Sequence, residues 1–150
     1  DEKLWDKIID TNLKGAFFSS QSFAQQLKSN SKPGSIINLG SLSSSIGIPT
    51  ATAYTSSKSG ILGMTKALSA EWANYNIRVN SIAPGYFRTS LTEVFYSDEN
   101  WQKTMLNKIP MKRFGKMEDL YGITILLASD ASSYITGQIF YIDGGFISSI

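Results

Sequence analysis

The apolar positions of the chain follow two spacings, one typical of helices and one typical of short buried strands. Apolar side chains recur at helical spacing in segments 5–27, 52–75 and 116–128. Short apolar runs at 35–40, 77–83 and 139–142, bounded by turn residues, predict strands. The predicted order is α-β-α-β-α-β, and each strand–helix–strand crossover implies a right-handed parallel unit. The pattern therefore predicts an α/β fold with a parallel sheet.

Two loops follow predicted strands at their carboxyl ends, where ligands bind in open α/β sheets. A serine-rich loop covers residues 41–49, and a Pro-Gly pair at 84–85 ends the second predicted strand. Residues 89–110 are the least regular part, with Phe95, Tyr96 and Trp101 among polar side chains. Two interpretations of that part stay open: a mobile lid whose aromatic side chains cover a ligand, or partly packed helical turns.

The composition narrows the chemistry that the chain can carry out. Its 150 residues suit one domain, and 42% are hydrophobic. A net charge of +2 without a basic block argues against a nucleic-acid partner, and no apolar run approaches the roughly 18 residues of a membrane span. The sequence has no Cys and no His, which excludes disulfides, Ser-His-Asp triads and metals held by those ligands. Acid–base chemistry must come from Asp, Glu, Lys or Tyr, and no metal site is expected.

Tyr54 and Lys58 form the most informative pair in the sequence. Four residues apart on a predicted helix, they share one face, so the phenol and the ammonium can lie side by side. A free phenol, with a pKa of about 10, is a poor base at neutral pH, but a positive neighbour or a helix N-terminus favours the phenolate. Such a group can donate a proton to a carbonyl or accept one from an alcohol. The alternative is a helix with one packed tyrosine and one solvated lysine.

Ser41 and Asn12 are two further candidates. Ser41 directly follows the first predicted strand, where its hydroxyl could donate to a bound carbonyl. Three serines follow at 43–45, so ordinary loop composition is the alternative. Asn12 is a poor residue for a helix interior. It is either a tolerated surface residue or points inward to hold a water or a side chain.

Taken together, these residues resemble the short-chain dehydrogenase/reductase family. Tyr54-x-x-x-Lys58 resembles the family's central motif, and Ser41 lies thirteen residues before Tyr54, as the family's serine does. Asn12 matches the family's asparagine. Two further segments match the family's pattern: Arg-Val-Asn-Ser-Ile-Ala-Pro-Gly at 78–85, and Ile-Thr-Gly-Gln at 135–138 followed by Asp-Gly-Gly at 143–145. The resemblance extends over the whole chain.

The resemblance implies a role for each matched residue. Tyr54 would be the general acid in carbonyl reduction and the base in alcohol oxidation, while Lys58 would tune it and hydrogen-bond the nicotinamide ribose. Ser41 would donate to the substrate oxygen, so that Ser41 and Tyr54 bind the substrate. Asn12 would hold a water that links Lys58 to solvent. The implied contacts to the cofactor, NAD or NADP, are Tyr54, Lys58, Pro84, Gly85, Phe87 and Thr89.

The resemblance covers only part of the family's fold. Family members open with a strand, a glycine-rich turn and a helix that cradle the pyrophosphate, and no such motif is found in this sequence. The implied fold is a Rossmann-like three-layer α/β fold, of which the chain keeps strands 5–7 and their flanking helices. We therefore expect residues 1–150 to be the C-terminal portion of one NAD(P)-binding domain, without its N-terminal nucleotide-binding half. Alone, such a portion should be inactive and bind NAD(P)H poorly.

Within the family, residues 71–89 are most similar to the gluconate 5-dehydrogenase branch, which acts on sugar acids and polyols. The 3-oxoacyl-acyl-carrier-protein reductases share this framework and are the close alternative. Arg88 or Lys112 could meet a substrate carboxylate, or both could be surface charges. The family pairs its long central helices between subunits, so we expect a homodimer or homotetramer. We also expect the protein to be cytoplasmic. A non-catalytic oligomerisation module is the remaining possibility.

Overall fold

A three-stranded parallel sheet forms the centre of the fold. In the computed structural model, which describes residues 1–90 and 92–149, the strands are β1 (Gly34–Leu39), β2 (Ile77–Pro84) and β3 (Ile139–Ile142). They lie in the order β1-β2-β3, and both pairs are parallel. The α/β fold and the parallel sheet that the sequence predicts are confirmed, and the three predicted strands match within one residue at each end.

Within the described residues, six α-helices flank the sheet. They are α1 (Glu2–Ile9), α2 (Gly15–Ser29), α3 (Thr52–Trp72), α4 (Glu93–Tyr96), α5 (Glu99–Lys108) and α6 (Tyr121–Ala128). None of these described helices combines the length and the apolar character that crossing a membrane requires.

The first and third predicted helices have different bounds in the structure. The first begins at Glu2 because the Asp1 carboxylate accepts the Leu4 backbone N–H at 2.8 Å and caps the helix. A π-helical turn, Asp10–Lys14, then joins α1 to α2. The third predicted helix starts as a 3₁₀ turn, Met117–Leu120, before α6 begins.

Helices cover both faces of the sheet and produce the expected three layers. Successive side chains of a strand point to opposite faces. On one face, Ile36 of β1 packs in a core with Ala24 of α2 and with Leu68 and Trp72 of α3. On the other, the hydroxyl of Ser35 donates to the Leu127 carbonyl of α6 at 2.6 Å. The layers are therefore α2 and α3, the sheet, and α6.

The described residues of segment 89–110 form the short helices α4 and α5, while Leu91 lies outside the described residues. Tyr96 is buried, with its ring centroid 5.2 Å from that of Trp101 and 4.7 Å from that of Phe114. Tyr86 reaches the same cluster, 5.8 Å from Trp101. These edge-to-face contacts favour packed helical turns over an open lid.

Candidate active site

The carboxyl ends of the three strands meet at one edge of the sheet. Just beyond β1, the Gly40 N–H donates to the Ile82 carbonyl at 2.8 Å; just beyond β2, the Gly85 N–H donates to the Ile142 carbonyl at 2.9 Å. A Cβ atom on Gly85 would lie only 2.8 Å from the Cα of Asp143. Only glycine therefore allows the turns after β2 and β3 to approach so closely.

The N-terminal turn of α3 brings Tyr54 to this edge. Lys58 lies one turn later, with its Nζ 5.9 Å from the centroid of the Tyr54 ring. The same ammonium donates to the carbonyl of Leu39, the last residue of β1, at 2.8 Å. Burial lowers the pKa of Lys58, because desolvation penalises its charged form. The helix that carries the Tyr-Lys pair is thus tied to the end of the first strand.

The donor set around Lys58 fits the ribose end of a nicotinamide cofactor. An ammonium group has three N–H donors, and in this structure one of them is used by Leu39. The remaining donors of the half-buried ammonium suit hydroxyl acceptors such as those of a ribose. Across residues 1–90 and 92–149, no cluster of three or more acidic side chains has the arrangement of a metal site.

Asn12 lies in the π-helical turn and reaches α3 through a serine. Its Nδ2 donates to Ser57 Oγ at 3.1 Å, and Ser57 Oγ donates to the Tyr54 carbonyl at 2.7 Å. Asn12 is half-buried, and it holds a side chain, which is one of the roles left open by the sequence. Single π-helical turns within α-helices are frequent at functional sites.

Ser41 begins a short 3₁₀ turn, Leu42–Ser44, whose hydrogen bonds the sequence did not reveal. Ser41 Oγ accepts the Ser43 N–H at 3.2 Å, and Ser44 Oγ accepts the Ser41 N–H at 3.1 Å. Ser44 Oγ also donates to the Lys58 carbonyl at 2.8 Å. Ser44 and Ser57 are the two residues at this site that sequence reasoning missed. The serine spacing Ser41-x-x-Ser44, which forms a capping box, was the available signal for the first.

The turn after β2 holds Phe87 and Thr89 in place through contacts within the chain. The Phe87 ring is buried and occupies the space that a side chain at Gly115 would need. Thr92 Oγ1 accepts the Thr89 N–H at 2.9 Å and donates to the Phe87 carbonyl at 2.9 Å. Pro84, Gly85, Phe87 and Thr89 therefore form one ordered turn beside the strand ends, while their contact with a cofactor stays a prediction.

An ion pair holds the segment that packs on Phe87. The Arg113 guanidinium donates both Nη groups to the Asp119 carboxylate, at 2.6 and 2.9 Å. Asp119 also accepts the Lys116 N–H at 2.8 Å, and the Gly115 N–H donates to the Tyr86 carbonyl at 2.9 Å. Hydrogen bonds from Arg113 and Lys116 hold the pKa of Asp119 well below its usual range.

The two cations proposed for a substrate carboxylate have different surroundings. Arg88 forms a two-pronged ion pair with Glu93. Lys112 donates to the Asn107 carbonyl at 2.8 Å and has a left-handed backbone with φ of +53°. It borders an open cleft of about 510 Å³ beside the serine-rich loop; the lining residues are Ile46, Gly47, Asn107, Lys108, Pro110, Lys112, Phe146 and Ser149. The lining contains two lysines and no acidic side chain.

Known proteins resemble the chain along nearly its whole length. A family model described as enoyl-(acyl carrier protein) reductase matches residues 1–147. The chain belongs to the short-chain dehydrogenase/reductase family. The family resemblance of the sequence is therefore confirmed.

Two curated relatives of this dehydrogenase/reductase chain have different names. It is 42% identical over 147 residues to the 2-dehydro-3-deoxy-D-gluconate 5-dehydrogenase of Dickeya dadantii (strain 3937), covering 98% of this chain and 58% of that protein. It is 43% identical over 146 residues to the 3-oxoacyl-(acyl-carrier-protein) reductase FabG of Thermotoga maritima, covering 97% of this chain and 58% of that protein. The chain thus spans less than two thirds of the length of these relatives.

A solved relative has a closely similar fold. The crystal structure of a gluconate 5-dehydrogenase from Burkholderia cenocepacia J2315, in complex with NADP and tartrate, matches with a TM-score of 0.97. The two are 33% identical, and the match covers 100% of this chain and 58% of that one. The Rossmann-like fold that the sequence implies is therefore confirmed.

We expect Asp119→Asn to lower the melting temperature at about pH 7, because it removes the carboxylate that pairs with Arg113. The pKa of Asp119 in the folded protein lies below its ordinary value of 3.8. Its stabilising contribution is therefore complete above pH 3.8 and is lost as the pH falls below that value. Thermal melts should show a smaller difference in melting temperature between variant and parent at about pH 3 than at about pH 7. Glu118→Gln, the exposed neighbour, is the control; a gap that stays constant with pH would contradict the assignment.

Proposed function

We propose that the protein is an NAD(P)-dependent oxidoreductase that interconverts a secondary alcohol and a carbonyl. The observation that carries this proposal is the arrangement of Tyr54 and Lys58 on α3. The Lys58 ammonium donates to the Leu39 carbonyl at the end of β1. The loop of Ser41 contacts the same helix turn, because the Ser44 hydroxyl donates to the Lys58 carbonyl. A proton donor, a cation and a second hydroxyl thus share one edge of the sheet.

Each of these residues has a proposed task in carbonyl reduction. Tyr54 donates its proton to the carbonyl oxygen, and Ser41 donates a hydrogen bond to the same oxygen. The nicotinamide, when bound, supplies the hydride. Lys58 stabilises the phenolate that remains and directs its free N–H donors to the ribose. Asn12 holds a water that returns a proton towards Lys58, and Pro84, Gly85, Phe87 and Thr89 form the wall against the nicotinamide.

For the cofactor we propose NADP or NAD. The solved gluconate 5-dehydrogenase, which shares the fold, contains NADP. The half-buried Lys58 ammonium offers donors that suit the ribose of either cofactor. A protein distinguishes NAD from NADP through residues that contact the adenosine end of the cofactor. In the proposed assignment, Tyr54, Lys58 and the turn after β2 contact only the nicotinamide end, so they do not choose between the two.

We further propose that the chain is the C-terminal portion of one NAD(P)-binding domain. It spans 58% of the length of the relatives described above. Within the described residues, β1 pairs with β2 on one side and is an edge strand. Leu39 of β1 is 59% exposed, as expected where a neighbouring segment of the same domain would pack.

The proposed substrate is a sugar acid or polyol of the gluconate 5-dehydrogenase type. Relatives of the sugar-acid and of the 3-oxoacyl type are equally similar, at 42% and 43% identity, so identity alone does not choose between them. The lysine-lined cleft beside the serine-rich loop favours an anionic substrate. Of the two candidate cations, Lys112 is the better one, because Arg88 is already paired with Glu93. The 3-oxoacyl-acyl-carrier-protein reductase activity is the second candidate.

We also propose a homodimer or homotetramer. Large apolar side chains on the first two helices are exposed in the single chain, including Leu4, Trp5, Phe18 and Phe23, and such surfaces mark contacts between proteins. A catalytically idle oligomerisation module would need those surfaces but not the Tyr54–Lys58 pair.

We expect the isolated 150-residue chain to bind NADPH weakly, because the helix N-terminus that cradles the pyrophosphate in such folds lies outside the residues assigned here. Fluorescence titration of the chain and of the full-length protein measures the difference. A micromolar affinity of the isolated chain would contradict the proposed division of the domain.

We expect Tyr54→Phe in the full-length protein to lower kcat by about 10²- to 10⁴-fold, since it removes the proposed general acid. NAD(P)H oxidation is followed with 5-ketogluconate and with an acetoacetyl thioester. Tyr75→Phe, an exposed tyrosine just beyond α3, is the control. Unchanged turnover would remove Tyr54 as the acid. A monomeric mass by light scattering would contradict the proposed assembly.

We expect Lys112→Met to raise the KM for 5-ketogluconate by about tenfold, because it removes one charge-assisted contact of about 1–2 kcal/mol with the carboxylate. The KM for a ketose without a carboxylate should not change. Lys103→Met, on the exposed side of α5, is the control. An equal rise with both substrates would show that Lys112 does not contact the carboxylate, while activity on the acetoacetyl thioester alone would favour the second candidate.

A further inference from the structure

Ser44 connects the serine-rich loop to α3 at the proposed reaction centre. The residue is buried, with 7% of its surface exposed. A serine hydroxyl has one hydrogen to donate and lone pairs to accept. Here it accepts the Ser41 N–H at 3.1 Å and donates to the Lys58 carbonyl at 2.8 Å. One buried hydroxyl therefore touches the backbone of two proposed active-site residues.

The turn that carries Ser44 makes a second hydrogen bond to α3. The Ser44 carbonyl accepts the hydroxyl of Ser59, again from α3, at 3.0 Å. Two hydrogen bonds, one from the Ser44 hydroxyl and one to the Ser44 carbonyl, therefore hold the loop against α3.

The two bonds of Ser44 act on groups that must be aligned with one another. Ser41 is on the loop after β1, whereas Tyr54 and Lys58 are on α3, and the two segments are separate in sequence. Ser41 Oγ is further held by the Ser43 N–H at 3.2 Å. Since catalytic groups lose rate steeply when misplaced by about 1 Å, the contact that relates the loop to the helix should affect turnover.

We propose that Ser44 is a positioning residue, which fixes the hydroxyl of Ser41 relative to Tyr54 by bridging the Ser41 N–H and the Lys58 carbonyl. This inference rests on the proposed function, in which Ser41 and Tyr54 both contact the substrate oxygen. Ser44 itself does not touch the substrate. Its effect passes through Ser41. The effect is larger on the transition state than on substrate binding, because the substrate oxygen needs closer alignment with its hydrogen-bond donors once it carries oxyanion-like charge.

The test compares Ser44→Ala with Ser59→Ala in the full-length protein. Both variants remove one serine hydroxyl that links the same loop to the same helix, but only Ser44 contacts the Ser41 N–H. We expect Ser44→Ala to lower kcat by about tenfold or more with KM changed by less than about threefold. Ser59→Ala should keep kcat within about twofold, and melting temperatures report any loss of folding. Equal losses of kcat in the two variants would overturn the proposal.

A double-variant cycle shows whether Ser44 acts through Ser41. In a Ser41→Ala background, adding Ser44→Ala should lower kcat by less than about a further twofold, because the hydroxyl that Ser44 positions is already gone. The same tenfold cost in both backgrounds would assign Ser44 a general structural role and overturn the inference. If Ser44→Ala does not fold, Ser44→Cys, whose thiol is a weaker donor and acceptor, should give a smaller kcat loss of the same kind; full activity of that variant would also count against the proposal.

The failure of this inference is distinguishable from the failure of the proposed function. A Ser41→Ala variant with full activity would remove Ser41 from the mechanism, and the role of Ser44 would go with it. A Ser41→Ala variant that loses activity, combined with an active Ser44→Ala variant, would overturn the role of Ser44 alone.

Discussion

The hydrogen bond from the Lys58 ammonium to the Leu39 carbonyl ties the long helix α3 to the end of β1. The half-buried ammonium loses part of its hydration, and the Leu39 carbonyl replaces one of the lost hydrogen bonds. The lowered pKa of Lys58 reflects the desolvation of its charged form. Because the acceptor is the last carbonyl of a strand, the lysine lies at the edge where parallel strands end. The position of Tyr54, one turn before Lys58, follows from this contact.

Small polar residues connect the remaining parts of the site to the same helix. Ser57 links the π-turn of Asn12 to the Tyr54 carbonyl, and Ser44 links the loop of Ser41 to the Lys58 carbonyl. In both cases a serine hydroxyl satisfies a backbone carbonyl of α3 and a polar group from another segment. Two short side chains thus place residues from three segments of the chain around one helix turn.

The turn after β2 depends on close packing as well as on its hydrogen bonds with Thr92. Gly85 allows that turn to approach Asp143, and the Phe87 ring fills the space that Gly115 leaves open. The Arg113–Asp119 pair then holds the segment of Gly115 in place. The aromatic cluster around Trp101 closes this side of the molecule. The wall proposed for the nicotinamide therefore depends in part on Gly115 and Asp143, which lie more than twenty residues away in sequence.

The sequence by itself determined the alternation of the long helices with three strands, the parallel sheet and the family, but not the short helices α4 and α5. Period and turn residues are local properties, and the spacing from Ser41 to Tyr54 and Lys58 can be read directly from the chain. It also singled out Tyr54, Lys58, Ser41 and Asn12 as candidates. Helix ends were less accessible, because the Asp1 cap and the π-turn at Asp10–Lys14 depend on side-chain hydrogen bonds that periodicity does not encode.

Only the tertiary structure decided which polar residues connect the site. In the sequence, Ser44 is one of several loop serines, and Ser57 is one of two serines between Tyr54 and Lys58. Their importance arises from partners on other segments, which folding brings within hydrogen-bond distance. The same holds for the two cations: Arg88 and Lys112 look alike in the sequence, but Arg88 meets Glu93 while Lys112 borders a cleft without acidic side chains. The sequence determines the charge of each side chain, whereas the fold determines which neighbours surround it and whether one of them already pairs with that charge.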